Sequence, residues 1–402
     1  MTKRIRQSTV AAVAVLLAAA TACTGQQSPA TRDAARTPAA GQGGGGAGGV
    51  GADKARAFTL LASGDVLPHS SVIDRAAADA GGLGYDFRPM LAGAEPVVSG
   101  ADLAICHMET VYGEDGGPYT GYPAFKSPPE VAKGLRATGF DSCSTASNHT
   151  LDDGAGGIRR TLDALDAAGI AHAGSARSAA EAARPTLLRA GSGKHAAKVA
   201  HLAYTYGTND FPLPPGQPWA VNLIDEQKIV ADARAARRAG ADVVAVSLHW
   251  GTEWQDEPDE KQLDLGRRLT AATSAGRPDI DLILGTHAHV PQAYEKVNGT
   301  WIIYGMGDQI AGAMINYEGA QDPRGNQSSM GRFTFEPPAK PGERWTVKKA
   351  EFVPQWYDTV AGRVVNLAAV DEGADQHREV RDRIRAVVLG RGAAEDGLLM
   401  GK

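Results

Sequence analysis

Aromatic residues make up only 6% of this chain, so whatever core it builds must be largely aliphatic. Positive charge is not in excess: 41 Lys and Arg stand against 46 Asp and Glu, and the formal net charge of −5 gives no sign of a nucleic-acid surface. The apolar run Val10 to Ala20 falls short of the roughly 20 residues that a comfortable membrane span needs. Cysteine is scarce, with three in 402 residues, and no internal repeat is apparent. What is present is ample apolar material, 43% of the chain, enough to bury one large domain or two ordinary ones.

Residues 1–22 read as an export signal. Lys3, Arg4 and Arg6 supply a positive start, an apolar region follows, and small residues precede Cys23. Ala20-Thr21-Ala22-Cys23 resembles a bacterial lipoprotein cleavage box, which makes Cys23 the expected lipid-bearing first residue and the chain an expected extracytoplasmic, membrane-anchored lipoprotein. The following stretch, to Ala57, is polar and then glycine-rich. It has almost nothing to bury, so residues 23–57 are expected to act as a flexible tether reaching roughly 30 Å. Cys106 and Cys143 then remain. In an exported protein they suit a disulfide, but both lie in apolar strand-like runs, where buried free thiols fit at least as well.

From Phe58 onward, strand-like and helix-like segments alternate. Phe58 to Asp65 and Ala101 to Glu109 read as strands joined by a Gly-rich connection. A helix from Pro129 to Thr138, a strand near Phe140 to Ala146 and a helix carrying Ile158, Leu162 and Leu165 follow. Later come a helix from Asp225 to Ala239, a strand from Asp242 to Leu248, a helix from about Pro258 to Ser274, and the short apolar strand Asp281 to Leu284. Continuous apolar strands alternating with helices predict an α/β fold whose sheets are buried on both faces.

Five of these strands run into metal-type ligands: Asp65; His107 and Glu109; Asn148 and His149; His249; and His287 with His289. Each has a plain reading alone. Gly64-Asp65 suits a turn, Asn148 a helix cap, and His249 a satisfied core histidine. Half of the chain's ten histidines at successive strand ends is a different matter. Carboxylate, amide oxygen and imidazole together suit a hydrolytic divalent-metal site, with two ions sharing a carboxylate. On extended backbone the i, i+2 spacing of His287 and His289 would turn both imidazoles to one side.

Taken in order, Ala62 to Val66, Ala101 to Glu109, Ser147 to Gly154, Ser247 to Glu253, Gly285 to Val290 and Ile303 to Asp308 resemble the bacterial CapA family. That family is associated with capsule and poly-γ-glutamate synthesis and belongs to the calcineurin-like metallophosphoesterases. The resemblance covers roughly residues 58–312. It implies an α/β/β/α sandwich, here over residues 58–321; the tail, with strand-like Arg332 to Phe335 and Val347 to Val353 and a charged helix Asp375 to Val388, reads separately as a β/α extension (322–402) packed on that domain. Departures from the pattern are His107, where Asn is usual, and Asp308, also where Asn is usual. Asp65 is followed by Val66-Leu67, without the second histidine of an Asp-x-His start, which predicts that one metal position is weaker.

The resemblance implies one or two divalent ions (Mn, Zn, Fe or similar) held by Asp65, Asn148, His249, His287 and His289, with Glu109 as bridging or second carboxylate. His149 is the expected general acid and Asp152 its orienting partner. His107, Asp308, Trp250, Glu253 and Trp254 are expected to line the site. Expected partners are a cell-envelope polymer or phosphoester substrate, the membrane through the N-terminal lipid, and capsule-synthesis membrane proteins; nucleic acid is not among them. Two other classes compete: a non-hydrolytic assembly or binding factor that keeps a structural metal, and an exported receptor with a two-lobed, metal-free cleft.

Overall fold

Strand order follows from which side chains each strand buries. The computed structural model describes residues 55–191, 196–340, 342–370 and 375–402, all within the unit Asp53–Lys402. The expected signal peptide, Cys23 and nearly all of the expected tether lie outside the described residues. In chain order the strands are β1 (Phe58–Val66), β2 (Leu103–Met108), β3 (Ser142–Ser144), β4 (Ala171–Ala173), β5 (Thr186–Ala190) and β6 (Ala197–Thr205). Then come β7 (Val243–His249), the small hairpin β8 (Thr273–Ser274) and β9 (Arg277–Pro278), β10 (Leu282–Thr286), β11 (Tyr294–Val297) and β12 (Thr300–Ile303). The last are β13 (Asp308–Ile310), β14 (Gln327–Glu336), β15 (Thr346–Asp358), β16 (Arg363–Asn366) and β17 (Leu398–Met400).

A nine-stranded sheet runs β16-β15-β14-β1-β2-β3-β4, with β13 also on β1 and β17 on β15; a six-stranded sheet runs β11-β12-β10-β7-β6-β5. Alternate residues decide the layers. Leu60, Ala62, Leu103 and Ile105 meet Val243, Ala245, Leu282 and Leu284 in a core between the sheets. Leu61, Ala104 and Cys106 face the other way, onto Val72, Leu135 and Leu162 of helices Ser70–Asp79, Glu130–Thr138 and Gly154–Ala168. Val244, Val246 and Ile283 pack under Ile229, Ala233 and Leu269 of helices Glu226–Arg238 and Glu260–Ala271. Each such buried aliphatic side chain contributes about 1.5–3 kcal/mol relative to exposure. The result is the expected α/β/β/α sandwich.

Three expectations need correction. The connection between β1 and β2 is not merely Gly-rich: it forms helices at Ser70–Asp79, Arg88–Leu91 and Glu95–Val98, whose Val72, Ile73, Met90, Leu91, Val97 and Val98 are buried. The cysteines are not free thiols. Cys106 and Cys143 lie opposite each other on β2 and β3, with Cα atoms 4.4 Å apart, and are bonded. Their side chains project onto the helical layer, away from the candidate ligands. Finally, the residues after Asp322 do more than pack on a finished domain. β14 pairs antiparallel with β1 along Phe58 to Ala62, so the C-terminal strands complete the sheet that carries Asp65.

Candidate metal centre

β1, β2 and β3 are parallel neighbours in one sheet, as are β6, β7, β10 and β12 in the other. Their carboxyl ends therefore open on one side, the usual place for a site in such sheets. Asp65 lies near the end of β1, Glu109 just past β2, Asn148 and His149 in the turn after β3, His249 at the end of β7, and His287 and His289 just past β10.

Two glycines bring these ends together. A Cβ on Gly64 would stand 1.8 Å from the Gly307 carbonyl oxygen, which instead accepts the Asp65 N–H at 3.0 Å. A Cβ on Gly285 would meet the Tyr304 carbonyl oxygen at 2.0 Å. Neither approach tolerates a side chain.

His287 and His289 do not sit on extended backbone. Their φ values are 91° and 58°, so a left-handed turn, not strand alternation, aims both rings inward. Such a backbone costs about 1–3 kcal/mol per residue and clusters at functional sites. The His287 N–H is anchored by Asp65 Oδ2 at 3.0 Å.

Three groups of side chains converge so that one candidate ligand atom from each member lies within 4.8 Å of the others: Asp65, Glu109, His289 and Asp308; Asp65, His107 and His249; and Glu253, His287 and His289. Asp65 and His289 are each shared between groups. Glu109 Oε1 stands 3.8 Å from His249 Nε2, which also lies 2.8 Å from Asn148 Oδ1. Asp65 Oδ1, both Glu109 oxygens, Asp308 Oδ2, His107 Nε2 and His287 Nδ1 are buried without a hydrogen-bond partner.

That is an electrostatic misfit as it stands. Burial, then the neighbouring Asp308, pushes the Asp65 carboxyl well above the usual range; burial, then Asp65, does the same to Glu109. Burial also raises Asp308. Burial and neighbouring imidazoles hold His249 and His287 well below the ordinary value, and His107 down to about 3. For His289 burial acts downward but is outweighed by Asp308, with its hydrogen bond, and by Glu109 and Glu253, so it is raised. Divalent cations would satisfy the orphaned oxygens and imidazoles together. The donor set of carboxylates, imidazoles and one amide oxygen fits such ions.

Beside this cluster, His149 Nδ1 lies 2.7 Å from Asp152 Oδ2, which also accepts the Phe125 N–H at 2.7 Å. Asp152 is thus fixed by backbone and oriented on the imidazole. The cap position of helix Gly154–Ala168 belongs to its neighbour Asp153.

Other expected site residues divide. Asp308, which interrupts the usual pattern, joins the central group, and its carboxylate fills space beside Asp65. His107 Nδ1 is tied to Ser144 Oγ at 2.7 Å while its ring stacks on His249 at 4.7 Å. Glu253 reaches His287, and the Trp254 ring stands 5.8 Å from His289. Trp250 does not line the site. It is buried, stacks on Tyr304 and donates its Nε1–H to the Tyr304 carbonyl, because apolar packing under the second helical layer claims it.

Two residues escaped the sequence reading. His69, at the cap of helix Ser70–Asp79, stands edge-on to Phe125 at 5.0 Å, and Phe125 meets His149 at 4.7 Å. Burial, then His289 and His149, brings His69 down to about 4, and its Nε2 has no partner. Tyr206, just past β6, lays its ring 4.5 Å from His287. His69 lies just beyond the ligand-bearing β1, which was its only available signal; Tyr206 follows β6, which carries no candidate ligand, and had none.

Residues 59–313 match the family described as "Bacterial capsule synthesis protein PGA_cap". The chain belongs to that family. Among curated relatives, the PGA biosynthesis protein CapA of Bacillus subtilis is 28% identical over 182 residues, 45% of each chain. A Mycobacterium tuberculosis protein named "Probable polyglutamine synthesis accessory protein" is 28% identical over 225 residues, 54% of this chain and 57% of that one. The chain thus spans about half the length of the curated relatives it matches. Among solved structures, a calcineurin-like phosphoesterase of Bacillus subtilis aligns with TM-score 0.43 at 14% identity, covering 82% of this chain and 97% of that one. A 5'-nucleotidase precursor of Thermus thermophilus aligns with TM-score 0.43 at 15% identity, covering 82% and 58%.

Proposed function

We propose that this PGA_cap protein is an exported, lipid-anchored, metal-dependent hydrolase of phosphoesters that serves the synthesis or processing of a capsule-type polymer. The observation that carries the reading is the set of buried, unpartnered oxygens of Asp65, Glu109 and Asp308 around His289, next to the oriented pair His149–Asp152. Bound divalent cations would supply positive charge that activates a water and neutralises charge developing on the substrate. The chain's own residues do the rest. Asp65, Glu109, His289 and Asp308 would hold one ion, and His249, His287 and Asn148 lie where they can serve a second. With Nδ1–H directed to Asp152, His149 presents Nε2 to the leaving group and can hand it a proton. Phe125 packs edge-to-face with the His149 ring.

Export and anchoring rest on the reading of Cys23, supported by the Cys106–Cys143 bond, which suits an oxidising compartment. Capsule-synthesis membrane proteins are the partners this location implies. A second reading has its own support: a curated relative is named an accessory protein. In that case the metal centre would hold the fold together and bind polymer without turning it over. Elemental analysis of chain purified without chelator, followed by assay of bis(p-nitrophenyl) phosphate, separates the two. Metal with turnover supports the hydrolase; metal without turnover supports the accessory role; no metal overturns both.

A further inference from the structure

His107 and His249 are held in the same way on opposite sheets. His249 ends β7, and its Nδ1 lies 3.0 Å from Oγ1 of Thr286, the residue directly across on β10. His107 stands near the end of β2, and its Nδ1 lies 2.7 Å from Oγ of Ser144, directly across on β3. In each case a hydroxyl on the adjacent parallel strand engages one ring nitrogen and leaves Nε2 for the cluster. The Ser144 hydroxyl donates to the Cys106 carbonyl at 3.4 Å, so its oxygen can accept the Nδ1–H of His107 and keep the Nε2 lone pair free. The two rings stack with centroids 4.7 Å apart. His107 Nε2 stands 3.9 Å from Asp65 Oδ1, and both atoms are buried without a hydrogen-bond partner. That gap is too long for a hydrogen bond. It is the right width for a shared ion, since two donors about 2.1 Å from one metal stand roughly 3–4 Å apart.

We infer that His107 is a metal ligand, and that with Asp65 and His249 it builds a nitrogen-rich position selecting a borderline ion such as Zn2+ over Mn2+ or Mg2+; the inference rests on the metal-centre reading above. The two groups that share Asp65 differ in kind. Asp65, Glu109, His289 and Asp308 offer three carboxylates and one imidazole, a donor set for a hard ion. Asp65, His107 and His249 offer one carboxylate and two imidazoles, a set for Zn2+ or its neighbours. His107 decides that difference. Without it the second group has one imidazole and one carboxylate, and its preference for nitrogen-seeking ions fades. Asp65, common to both groups, then lies between two unlike ions.

The test loads the full chain, stripped with chelator, with Zn2+ and challenges it with Mn2+ in large excess. The unaltered chain should give up Zn2+ from one position and keep it at the other. His107→Asn should weaken Zn2+ binding at the retained position about 100-fold or more, at least the loss of an outer-shell partner, and Mn2+ binding by less than about tenfold. Proton NMR of Co2+-loaded chain gives an independent readout, because an imidazole bound through Nε2 shows its Nδ1–H as a strongly shifted exchangeable signal. His107→Asn should remove one such signal. Ser144→Ala, a smaller change that leaves the ring in place, should quicken the exchange of that same signal with water. An unchanged Zn2+ preference with all shifted signals present in His107→Asn overturns the inference and makes His107 a packing partner of His249. So does an unaltered chain whose two positions exchange Zn2+ for Mn2+ alike. Should His107→Asn fail to fold, Ser144→Ala decides: a set of shifted signals that it leaves untouched overturns the inference. If the unaltered chain takes up no metal, the metal-centre reading fails and this inference falls with it.

Discussion

Asp308 Oδ1 lies 3.0 Å from His289 Nδ1, while its Oδ2 is buried without a partner in the same group as Asp65 and Glu109. One carboxylate therefore does two things. It accepts the Nδ1–H of His289, leaving Nε2 to face the cluster, and it keeps a second oxygen free beside Asp65 and Glu109.

Asp308→Asn should accordingly lower affinity for Mn2+ about 10- to 100-fold, the usual effect of losing an outer-shell partner, and more if the carboxylate also ligates. Competition titration against a metal indicator measures it. Unchanged affinity would reduce Asp308 to a turn residue.

In ion-free protein two sets of buried groups should pull stability in opposite directions with pH. Histidines 69, 107, 201, 249 and 287 all have folded values below the ordinary 6.5, so the unfolded chain binds more protons below that pH, and stability is lost as pH falls through it. Asp65, Glu109, Asp308 and His289 are raised, so the folded chain keeps protons that the unfolded chain gives up. Above pH 6.5 only this second set still acts, and stability falls as pH rises. Metal replaces those protons and should abolish the alkaline fall. Melting temperatures from pH 4 to 9, with chelator and with Mn2+, check both limbs; a chelated protein that gains stability from pH 7 to 9 would show that the carboxylates are not held as described.

Much of this was legible in the chain because parallel strands buried on both faces read as unbroken apolar runs, and their ends announce themselves when polar ligands follow. Val243 to His249 and Leu282 to His289 are such cases. What could not be read was set by tertiary contacts. Asp308 was expected to line the site, but its place beside Asp65 depends on Gly64 letting β1 approach the Gly307 carbonyl. His287 and His289 were expected together on extended backbone, and they meet through positive φ. Trp250 lies next to a ligand in sequence but belongs to the packing under a helix. The cysteine pairing depended on the register of β2 against β3, which no local pattern encodes.

The disulfide makes its own prediction. Chain carrying Cys23→Ser should show no reactive thiol when denatured without reductant and two after reduction. Cys106→Ser/Cys143→Ser should lose about 2–5 kcal/mol of stability by chemical unfolding, the usual cost of removing a native bridge.

The anchor can be tested in cells. Cys23→Ser should move the protein from the membrane fraction to a soluble extracytoplasmic one, because a lipid at that position would be its attachment. Retention of a correctly processed Cys23→Ser chain in the membrane would count against the lipoprotein reading.

The sharpest division of labour lies between His149 and the pair His287 and His289. The pair belongs to groups of converging ligands, so His287→Ala or His289→Ala should reduce metal occupancy and, with it, thermal stability, since metal binds the folded chain. His149 is in none of those groups; its Nδ1 is engaged by Asp152 instead. His149→Ala should leave metal content and melting temperature nearly intact while cutting turnover about 10²–10⁴-fold, the range for general acid–base groups. The loss should shrink with p-nitrophenyl leaving groups, which depart without a proton, and grow with alkyl ones. Asp152→Asn should show the same leaving-group dependence in milder form, because it misorients the imidazole without removing it. A His149→Ala protein that has lost its metal, or whose defect is equal for good and poor leaving groups, would place His149 among the ligands and leave proton donation to another residue, of which His69, beside the same phenylalanine, is the first to test.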